Sequence, residues 1–272
     1  MGIRQTMKQK TVLITGATRG LGARITQHFW RLGANLILVA RDASKLLALR
    51  TTLLASAGSQ QKINVIQTDL ACADAVTKLT EQLNCVDILI NNAAIQGPIG
   101  PAWENDWEKW QTTLQVNLLS PVALCRAVLP HMMQNNYGKM INISGGGATQ
   151  ARPQFSAYAT AKSGLVRFSE TLAEEVKSFH IDVNCLAPGV MNTDMLNEIA
   201  KTSVDDTSLE QAAELCVFLA SSVCDGVTGK LISAIWDPWK KLPDYIHDIK
   251  NSDVYTLRRI VPKDRGMQWG EK

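Results

Sequence analysis

The sequence predicts an α/β protein with a doubly wound, seven-stranded parallel sheet. Seven short runs rich in Val, Ile and Leu alternate with longer helical stretches, and strands that are apolar throughout are typical of parallel sheets covered by helices on both faces. The first run ends in a glycine cluster that opens a helix. With 272 residues, 46% of them hydrophobic, the chain can bury the core of one domain.

Each element is predicted from its own local pattern. Apolar runs of four to six residues next to turn-forming residues indicate strands. Apolar residues spaced three and four apart indicate helices. The strands are predicted at residues 11–15, 35–40, 63–68, 86–90, 139–143, 181–186 and 230–233, and the clearest helices at 21–32 and around 103–133, 154–178 and 208–221.

Domain organisation follows from where this alternation stops. No Pro/Gly-rich linker divides the chain before about residue 234, so residues 1–234 are expected to form one domain. Residues 235–272 are predicted to form an extension. They contain eight basic and six acidic residues and spaced aromatics, among them Trp236, Trp239 and Trp269. Because near-balanced charge makes a poor phosphate track, we expect the aromatics to anchor the extension on its own domain or on a neighbouring subunit, and not to bind nucleic acid.

Composition disfavours several other classes of protein. The formal net charge is only +3, and no apolar run approaches the roughly 18 residues of a spanning helix, so neither a nucleic-acid nor a membrane partner is expected. The six cysteines form no CxxC pair, and no histidine cluster has metal-ligand spacing. We expect reduced core thiols, no metal, and a cytoplasmic location, because the first residues lack the pattern of a secretory signal.

The glycine cluster after the first strand predicts a phosphate-binding turn. The sequence Thr-Gly-Ala-Thr-Arg-Gly-Leu-Gly occupies residues 15–22. Gly16 permits a tight turn, and Gly20 and Gly22 remove side chains that would keep a pyrophosphate away from the N–H groups at the helix start. The spacing is GxxxGxG, which differs from the GxGxxG of many dinucleotide-binding folds. A plain tight turn is the alternative.

The end of the second strand bears on the choice of cofactor. An NAD-selective site usually has an acidic residue there for the ribose hydroxyls, whereas this chain has Arg41 followed by Asp42. Arg41, with Arg19 from the glycine turn, could pair with a 2′-phosphate. NADP is therefore the preferred cofactor and NAD remains possible, with Asp42 either capping the next helix or reaching the ribose. Each arginine could also be a solvated surface charge.

Tyr158 and Lys162 are one turn apart on a predicted helix. Residues four apart lie on the same helix face, so this spacing brings an ammonium near a phenol. A free phenol titrates near ~10, and a neighbouring cation favours its ionised form. Tyr158 could thereby exchange a proton with a substrate oxygen, although YxxxK alone occurs by chance as a surface or core pair.

Further motifs accompany the glycine turn and the YxxxK pair along the chain. They are Asp69, Asn91-Asn92-Ala93, Asn117, Ser144 and Pro-Gly-Val-Met-Asn-Thr at residues 188–193. Together, in this order and near this spacing, the motifs resemble those of the short-chain dehydrogenase/reductase family over about residues 11–233. The resemblance implies an NAD(P)-dependent oxidoreductase that interconverts a carbonyl and a hydroxyl group.

The resemblance also implies a set of cofactor-binding residues. Asp69 would contact the adenine, residues 91–93 would pack beneath the cofactor, and Thr193 would lie near the nicotinamide carboxamide. The full set that we expect to bind the cofactor is Gly16, Thr18, Arg19, Gly20, Leu21, Gly22, Arg41, Asp69, Leu70, Asn91, Ala93, Tyr158, Lys162, Pro188, Gly189, Val190 and Thr193.

By the same comparison, four residues are expected to be catalytic. Tyr158 would donate the proton in reduction or accept it in oxidation, and Lys162 would lower the pKa of Tyr158 and hold the ribose hydroxyls. Asn117 would anchor a water that links the lysine to solvent, or would be a buried polar residue bonded to backbone. Ser144 would polarise the substrate carbonyl. The cofactor carries the hydride, which makes a metal unnecessary.

The chain departs from the family pattern at two positions. Ala94 stands where the family usually has glycine, which adds one methyl group. The family usually has its serine thirteen residues before the tyrosine, where this chain has Gly145, and Ser144 lies one residue earlier. A one-residue bulge could bring the Ser144 hydroxyl into the site; otherwise the site relies on the tyrosine alone or on another hydroxyl. The alternative function is a cofactor-binding scaffold or sensor with lost or altered catalysis.

Substrate specificity is expected in three segments after the fourth, fifth and sixth strands, at residues 95–101, 149–155 and 190–206. They carry amide and apolar side chains that suit a moderately polar ketone or secondary alcohol, and Arg152 either meets an anionic substrate or is a surface charge. In the resembling family the helices around 103–133 and 154–178 form a subunit interface, so a homodimer or homotetramer is expected.

Overall fold

The computed structural model describes residues 7–55, 61–189 and 207–267. Its centre is a seven-stranded, all-parallel sheet in the order β3-β2-β1-β4-β5-β6-β7, as the alternation of apolar runs predicted. The strands are β1 (Thr11–Thr15), β2 (Asn35–Ala40), β3 (Ile63–Gln67), β4 (Ile88–Asn91), β5 (Gly138–Ile143), β6 (Ile181–Ala187) and β7 (Leu231–Ser233).

Helices cover both faces of the sheet. They are α1 (Gly20–Arg31), α2 (Ala43–Ala55), α3 (Ala73–Thr80), α4 (Trp107–Leu114), α5 (Ser120–Gln134), α6 (Ser156–Glu175), α7 (Thr207–Ala220) and α8 (Ile246–Lys250). A π-helical turn, Gln115–Leu119, joins α4 to α5, and short 3₁₀ turns lie at Gly146–Ala148, Lys177–Phe179, Ser222–Cys224, Trp239–Tyr245 and Pro262–Arg265.

The alternation of side chains along β1 divides the core into two layers. Val12 and Ile14 belong to the layer beneath α1 and α7, whereas Leu13 belongs to the layer beneath α3, α5 and α6. All three are fully buried, and each such side chain contributes about 2 kcal/mol of hydrophobic free energy. Burial on both faces is why these strands contain almost no polar residues.

The strand order changes direction at β1, which pairs with β2 on one side and β4 on the other. The segments that follow the adjacent strands β1 and β4 lead to helices on opposite faces of the sheet, and a crevice opens between these segments. The fourth strand begins at Ile88, two residues later than predicted. Asp87 directly precedes it: its side chain accepts the N–H of Thr11 at 2.8 Å, and its own N–H donates to the Thr11 carbonyl at 3.0 Å.

The described part of the extension, residues 235–267, packs against its own domain. Trp239, Leu242 and Ile249 are buried in the layer that contains α7, and the Trp239 ring lies 5.5 Å from that of Phe218. The carbonyl of Tyr255 accepts the N–H of Leu231 at 2.8 Å, beside β7. Trp236 stays 83% exposed, and Trp269 lies outside the described residues.

Two expectations from composition need correction. Of the six cysteines, Cys72 and Cys85 are exposed and the other four are buried, because the two lie in the turns around α3 and not in apolar elements. In addition, the continuous helical segment Trp107–Gln134 is long and apolar enough to cross a membrane by length and composition. In this fold the apolar side of the segment packs into the core, through residues such as Leu124 and Val128. A core helix therefore has the same apolar composition as a membrane-spanning helix.

Candidate active site

A crevice of about 1080 Å³ opens at the carboxyl edge of the sheet. Its walls come from the segments that follow six strands, together with β7 and the start of the extension. Of the residues predicted to form a site, those that line it are Gly16, Thr18, Arg19, Gly20, Leu21, Gly22, Arg41, Asp69, Leu70, Ala93, Ser144, Tyr158, Lys162, Pro188 and Gly189. Val190 and Thr193 lie outside the described residues.

The glycine turn has the backbone that its sequence predicted. Gly16 and Gly20 have φ values of +64° and +51°, in the left-handed region that favours glycine. A Cβ on Gly22 would lie 2.1 Å from the carbonyl oxygen of Gly16, so the start of α1 packs directly against the turn. The first turn of α1 contains no acidic side chain that would compete for its N–H groups. This cradle fits the pyrophosphate of a dinucleotide.

Asn92 holds the glycine turn in place, a role that the sequence reasoning missed. Its Nδ2 donates to the carbonyl oxygens of Thr15 at 2.9 Å and Gly16 at 3.3 Å. In return the hydroxyl oxygen of Thr15 accepts the N–H groups of Asn92 and Ala93, each at 3.0 Å. The doubled asparagine at the end of β4 was the available signal, because adjacent side chains in an extended segment point to opposite sides.

Asn91 faces away from the crevice. It is 3% exposed, and its Nδ2 donates to Oδ1 of Asn142 on the neighbouring strand at 2.8 Å. Asn142 in turn donates to the hydroxyl of Ser169 on α6 at 2.8 Å. Asn91 is therefore absent from the described crevice wall, where it was expected, and it links β4 and β5 to α6 beneath the site.

The residues that follow β2 form part of the crevice wall. Arg41 and Arg19 both line the crevice and are exposed. Oδ1 of Asp42 accepts the N–H of Lys45 at 3.0 Å in the first turn of α2, which is the capping arrangement.

Tyr158 and Lys162 lie in the first turns of α6 and are 8% and 2% exposed. The Lys162 ammonium donates to the carbonyl oxygen of Ile143 at 2.7 Å and lies 5.8 Å from the centroid of the Tyr158 ring. Burial lowers the pKa of Lys162 to about 8, because an apolar environment disfavours the charged form. The charge that the YxxxK spacing was expected to bring near the phenol is therefore present below about pH 8.

Burial also acts on Tyr158, against the direction that the resemblance implied. It raises the pKa of the phenol, and the Arg152 guanidinium is the charge that opposes this rise. Lys162 was expected to lower the pKa, but its ammonium donates to the Ile143 carbonyl, 5.8 Å from the centroid of the tyrosine ring, and the effect of burial on the pKa is the larger one. Tyr158 therefore stays protonated over the neutral range.

Ser144 carries a buried hydroxyl without a partner. The residue is 2% exposed and lines the crevice, and its N–H donates to the Leu186 carbonyl at 2.8 Å in continuation of the β5–β6 ladder. Its Oγ has no hydrogen-bond partner among the described residues. A buried hydroxyl left unpaired is costly, so this atom is suited to bond a ligand in the crevice.

Asn117 lies in the π-helical turn and is fully buried. Its Nδ2 donates to the carbonyl of Ile95 at 2.8 Å, and its Oδ1 accepts the Ile95 N–H at 2.9 Å. The side chain is thus bonded to backbone, which is the alternative that the sequence left open, and it does not line the crevice. Its role here is to fix the segment that carries Gln96.

A family model described as short chain dehydrogenase matches residues 10–204. FabG of Escherichia coli, a 3-oxoacyl-(acyl-carrier-protein) reductase, is 34% identical over 234 residues, which cover 82% of this chain and 94% of that protein. The protein of the same name from Chlamydia trachomatis is 32% identical over 237 residues, 82% of this chain and 95% of that protein. The chain belongs to the short-chain dehydrogenase/reductase family.

Solved structures agree with this assignment. A metagenomic short-chain oxidoreductase in complex with NADP superposes with a TM-score of 0.69 at 27% identity, over 80% of this chain and 93% of that one. A short chain dehydrogenase/reductase family protein gives a TM-score of 0.75 at 26% identity, over 84% and 96%. The protein is an NAD(P)-dependent oxidoreductase that acts on carbonyl or alcohol substrates.

In this short-chain dehydrogenase/reductase, the extension completes the crevice wall. Trp236 and Asp237 line the crevice beside β7, and Oδ2 of Asp237 accepts the N–H of Ser233 at 2.7 Å. Neither residue was among the predicted site residues, because no local spacing links either of them to the site, and Trp236 was singled out as one of the spaced aromatics of the extension. The part of the chain that the structure describes contains no group of three His, Cys, Asp or Glu residues able to hold a metal ion.

Proposed function

We propose that this enzyme is an NADP(H)-preferring oxidoreductase that interconverts a ketone and a secondary alcohol, with Tyr158 as the general acid and base. The main observation in support of the proposal is that three groups line the same crevice as the glycine turn. They are the Tyr158 phenol, the Lys162 ammonium and the Ser144 hydroxyl, which has no hydrogen-bond partner among the described residues. When bound, the nicotinamide group supplies or accepts the hydride.

The chain's own residues then orient the carbonyl and move the proton. Ser144 donates a hydrogen bond to the substrate oxygen, because its hydroxyl is buried and otherwise unpaired. Tyr158 donates its proton to that oxygen, and its raised pKa keeps the proton available in the direction of reduction. Lys162 supports the developing phenolate charge and offers its remaining N–H donors to the ribose hydroxyls.

The preference for NADP rests on charge at the adenosine end. Arg41 replaces the acidic residue that a ribose 2′-hydroxyl favours, Arg19 lies on the same wall, and Asp42 is occupied as a helix cap. A guanidinium can bind a phosphate through two parallel hydrogen bonds. The related metagenomic enzyme was solved with NADP, which is consistent with this preference.

We also infer a homodimer or homotetramer. The exposed apolar side chains Trp107, Leu119 and Met133 lie along the continuous segment of α4 and α5. Burial of such a surface between copies would remove it from water. Light scattering on the purified protein measures the assembly directly, and a monomer at micromolar concentration would contradict the inference.

The proposed chemistry is tested by NADPH oxidation with a panel of ketones. Tyr158→Phe keeps the ring and removes the hydroxyl, so turnover should fall by about 10³-fold, within the range for a general acid. Ser144→Ala should cost about 10²-fold, the value of one donor to an oxyanion. Tyr245→Phe, at a tyrosine that is 56% exposed, serves as the matched control and should behave as wild type. Full turnover by Tyr158→Phe would refute the assignment.

A further inference from the structure

Arg152 presents a guanidinium to the substrate side of the crevice. Its central carbon lies 3.9 Å from the centroid of the Phe155 ring and 5.9 Å from that of Tyr158. The residue lines the crevice together with Ser144 and Tyr158. A cation is therefore placed beside the proposed proton donor, in a segment that contributes nothing to the glycine turn.

Contact with the Phe155 ring leaves the hydrogen-bond donors of the guanidinium available. The N–H groups of arginine lie in the plane of the group, so a guanidinium stacked on a ring can still donate to an oxyanion in that plane. Among residues 7–55, 61–189 and 207–267, no hydrogen bond or ion pair engages the Arg152 guanidinium. These donors are available to a ligand in the crevice.

The loop that carries Arg152 is held at two points. The carbonyl of Gln154, a residue with φ of +71°, accepts the N–H of Gly100 at 2.9 Å. The N–H of Phe155 donates to the carbonyl of Arg152 at 3.2 Å. These bonds tie the loop to the segment after β4 and to the start of α6. The guanidinium is therefore positioned before a ligand binds, which lowers the entropic cost of binding.

Gln96 adds a second donor to the same crevice. Its Nε2 is buried and has no hydrogen-bond partner within the described ranges, and the residue lines the crevice. The two bonds between Asn117 and Ile95 fix the backbone immediately before it. An amide nitrogen buried without an acceptor is costly, so an acceptor oxygen from a ligand is the natural partner.

The acidic residues on the described wall do not neutralise Arg152. Oδ1 of Asp42 accepts from the Lys45 N–H, Oδ1 of Asp69 from the Ala71 N–H, and Oδ2 of Asp237 from the Ser233 N–H. None of the three forms an ion pair with Arg152. The crevice thus contains a positively charged donor and a neutral donor, and neither has an acceptor oxygen among the described residues.

We propose that Arg152 and Gln96 bind a carboxylate of the substrate, so that the enzyme acts on a short-chain oxo acid or the corresponding hydroxy acid. The inference rests on the proposed function, since it places the carbonyl at Tyr158 and Ser144 and the carboxylate at Arg152. The planar carboxylate matches the fork of the guanidinium. A neutral ester of the same acid keeps the reacting carbonyl and removes the charge, and therefore isolates this contact.

The test compares acetoacetate with methyl acetoacetate, and levulinate with methyl levulinate, as substrates for NADPH oxidation. Wild type should prefer each acid to its ester in kcat/KM. Arg152→Gln should lower the acid-to-ester ratio by at least about 30-fold, Arg152→Lys should lower it less, and Gln96→Leu by about fivefold, in line with charged and neutral hydrogen bonds. Arg50→Gln, at an exposed arginine on α2 outside the crevice, is the matched control.

Calorimetry gives a second readout that does not depend on turnover. The acids should bind the protein in the presence of NADP⁺ more tightly than their esters, and Arg152→Gln should abolish this difference while leaving the NADP⁺ affinity unchanged. An equal loss on acid and ester would overturn the inference, because Arg152 would then act on Tyr158 alone. A wild-type preference for the esters, or no binding of either acid, would also overturn it. In each of these cases, turnover of the esters by wild type and its loss in Tyr158→Phe would still support the proposed function.

Discussion

A Cβ atom built on Gly145 would lie 2.6 Å from the phenolic oxygen of Tyr158. The backbone at Gly145 is extended, with φ of −170°, so glycine is not required there for its dihedral freedom. It is required for space, because the tyrosine hydroxyl occupies the volume in which a side chain would begin. The family's usual serine could not be inserted at this position without moving the proposed proton donor.

Gly145→Ala should therefore lower turnover by about 10- to 100-fold. The added methyl group displaces the Tyr158 hydroxyl, and overpacking of this kind costs about 1–3 kcal/mol of unfolding free energy. Steady-state kinetics and urea unfolding measure the two effects. Gly146→Ala is the matched control, since a Cβ there meets nothing within 4 Å. Wild-type kinetics in Gly145→Ala would show that the phenol does not need this space.

The rate of reduction should fall as the pH rises through about 8. Burial lowers the pKa of Lys162 to about 8, so the lysine loses the charge that supports the phenolate above that pH. Tyr158 should not titrate near pH 8, because burial raises its pKa. The nearby Cys185 thiol should not titrate there either, because burial raises its pKa to about 12. The measurement is kcat/KM with NADPH from about pH 6 to about pH 10. A flat or rising profile through pH 8 would contradict the assignment to Lys162.

Stability should change in the opposite direction over the same range. The pKa of Lys162 is depressed in the folded state, so between about pH 8 and its ordinary value near 10.5 the unfolded chain binds more protons than the folded one. The burial penalty of this lysine is present below about pH 8 and is relieved as the pH rises through that window. The unfolding free energy of Lys162→Met should lack this pH-dependent contribution. Urea unfolding of the variant and of wild type at both ends of the pH range measures the difference.

Arg41→Gln should weaken NADPH binding by about 10- to 100-fold and leave NADH binding unchanged. A charge-assisted hydrogen bond to phosphate is worth about 1.5–3 kcal/mol, and only NADPH carries the 2′-phosphate. Fluorescence titration of both reduced cofactors gives the two affinities, and Arg50→Gln provides the arginine control. An equal loss of affinity for NADPH and NADH would mean that Arg41 does not bind the 2′-phosphate.

Lys139→Met should destabilise the fold by about 3–5 kcal/mol. Lys139 is 1% exposed and donates to Asp182, its register partner on β6, at 2.6 Å, and to Asp225 at 2.7 Å. Removal of the lysine leaves the buried Asp182 carboxylate without its counter-charge. Lys240→Met breaks an exposed ion pair with Glu214 and should cost less than about 1 kcal/mol. Similar losses in the two variants would contradict the buried-pair explanation.

The sequence alone determined the order of the elements and the main chemical motifs. Seven strands, the glycine turn and the position of Tyr158 and Lys162 on one helix follow from periodicity and spacing within a few residues, which physical rules relate directly to local backbone. For the same reason the strand ends were predicted to within two residues. The proposal that Arg41 binds the cofactor also came from the place of this residue directly after β2.

Only the tertiary structure decided which side chains meet. The sheet register places Lys139 against Asp182, the packing of α6 brings Tyr158 against Gly145, and the fold of the extension carries Trp236 into the crevice wall. These pairs join residues far apart in the chain, and no local pattern encodes such a contact, because it depends on how whole elements pack around a shared core.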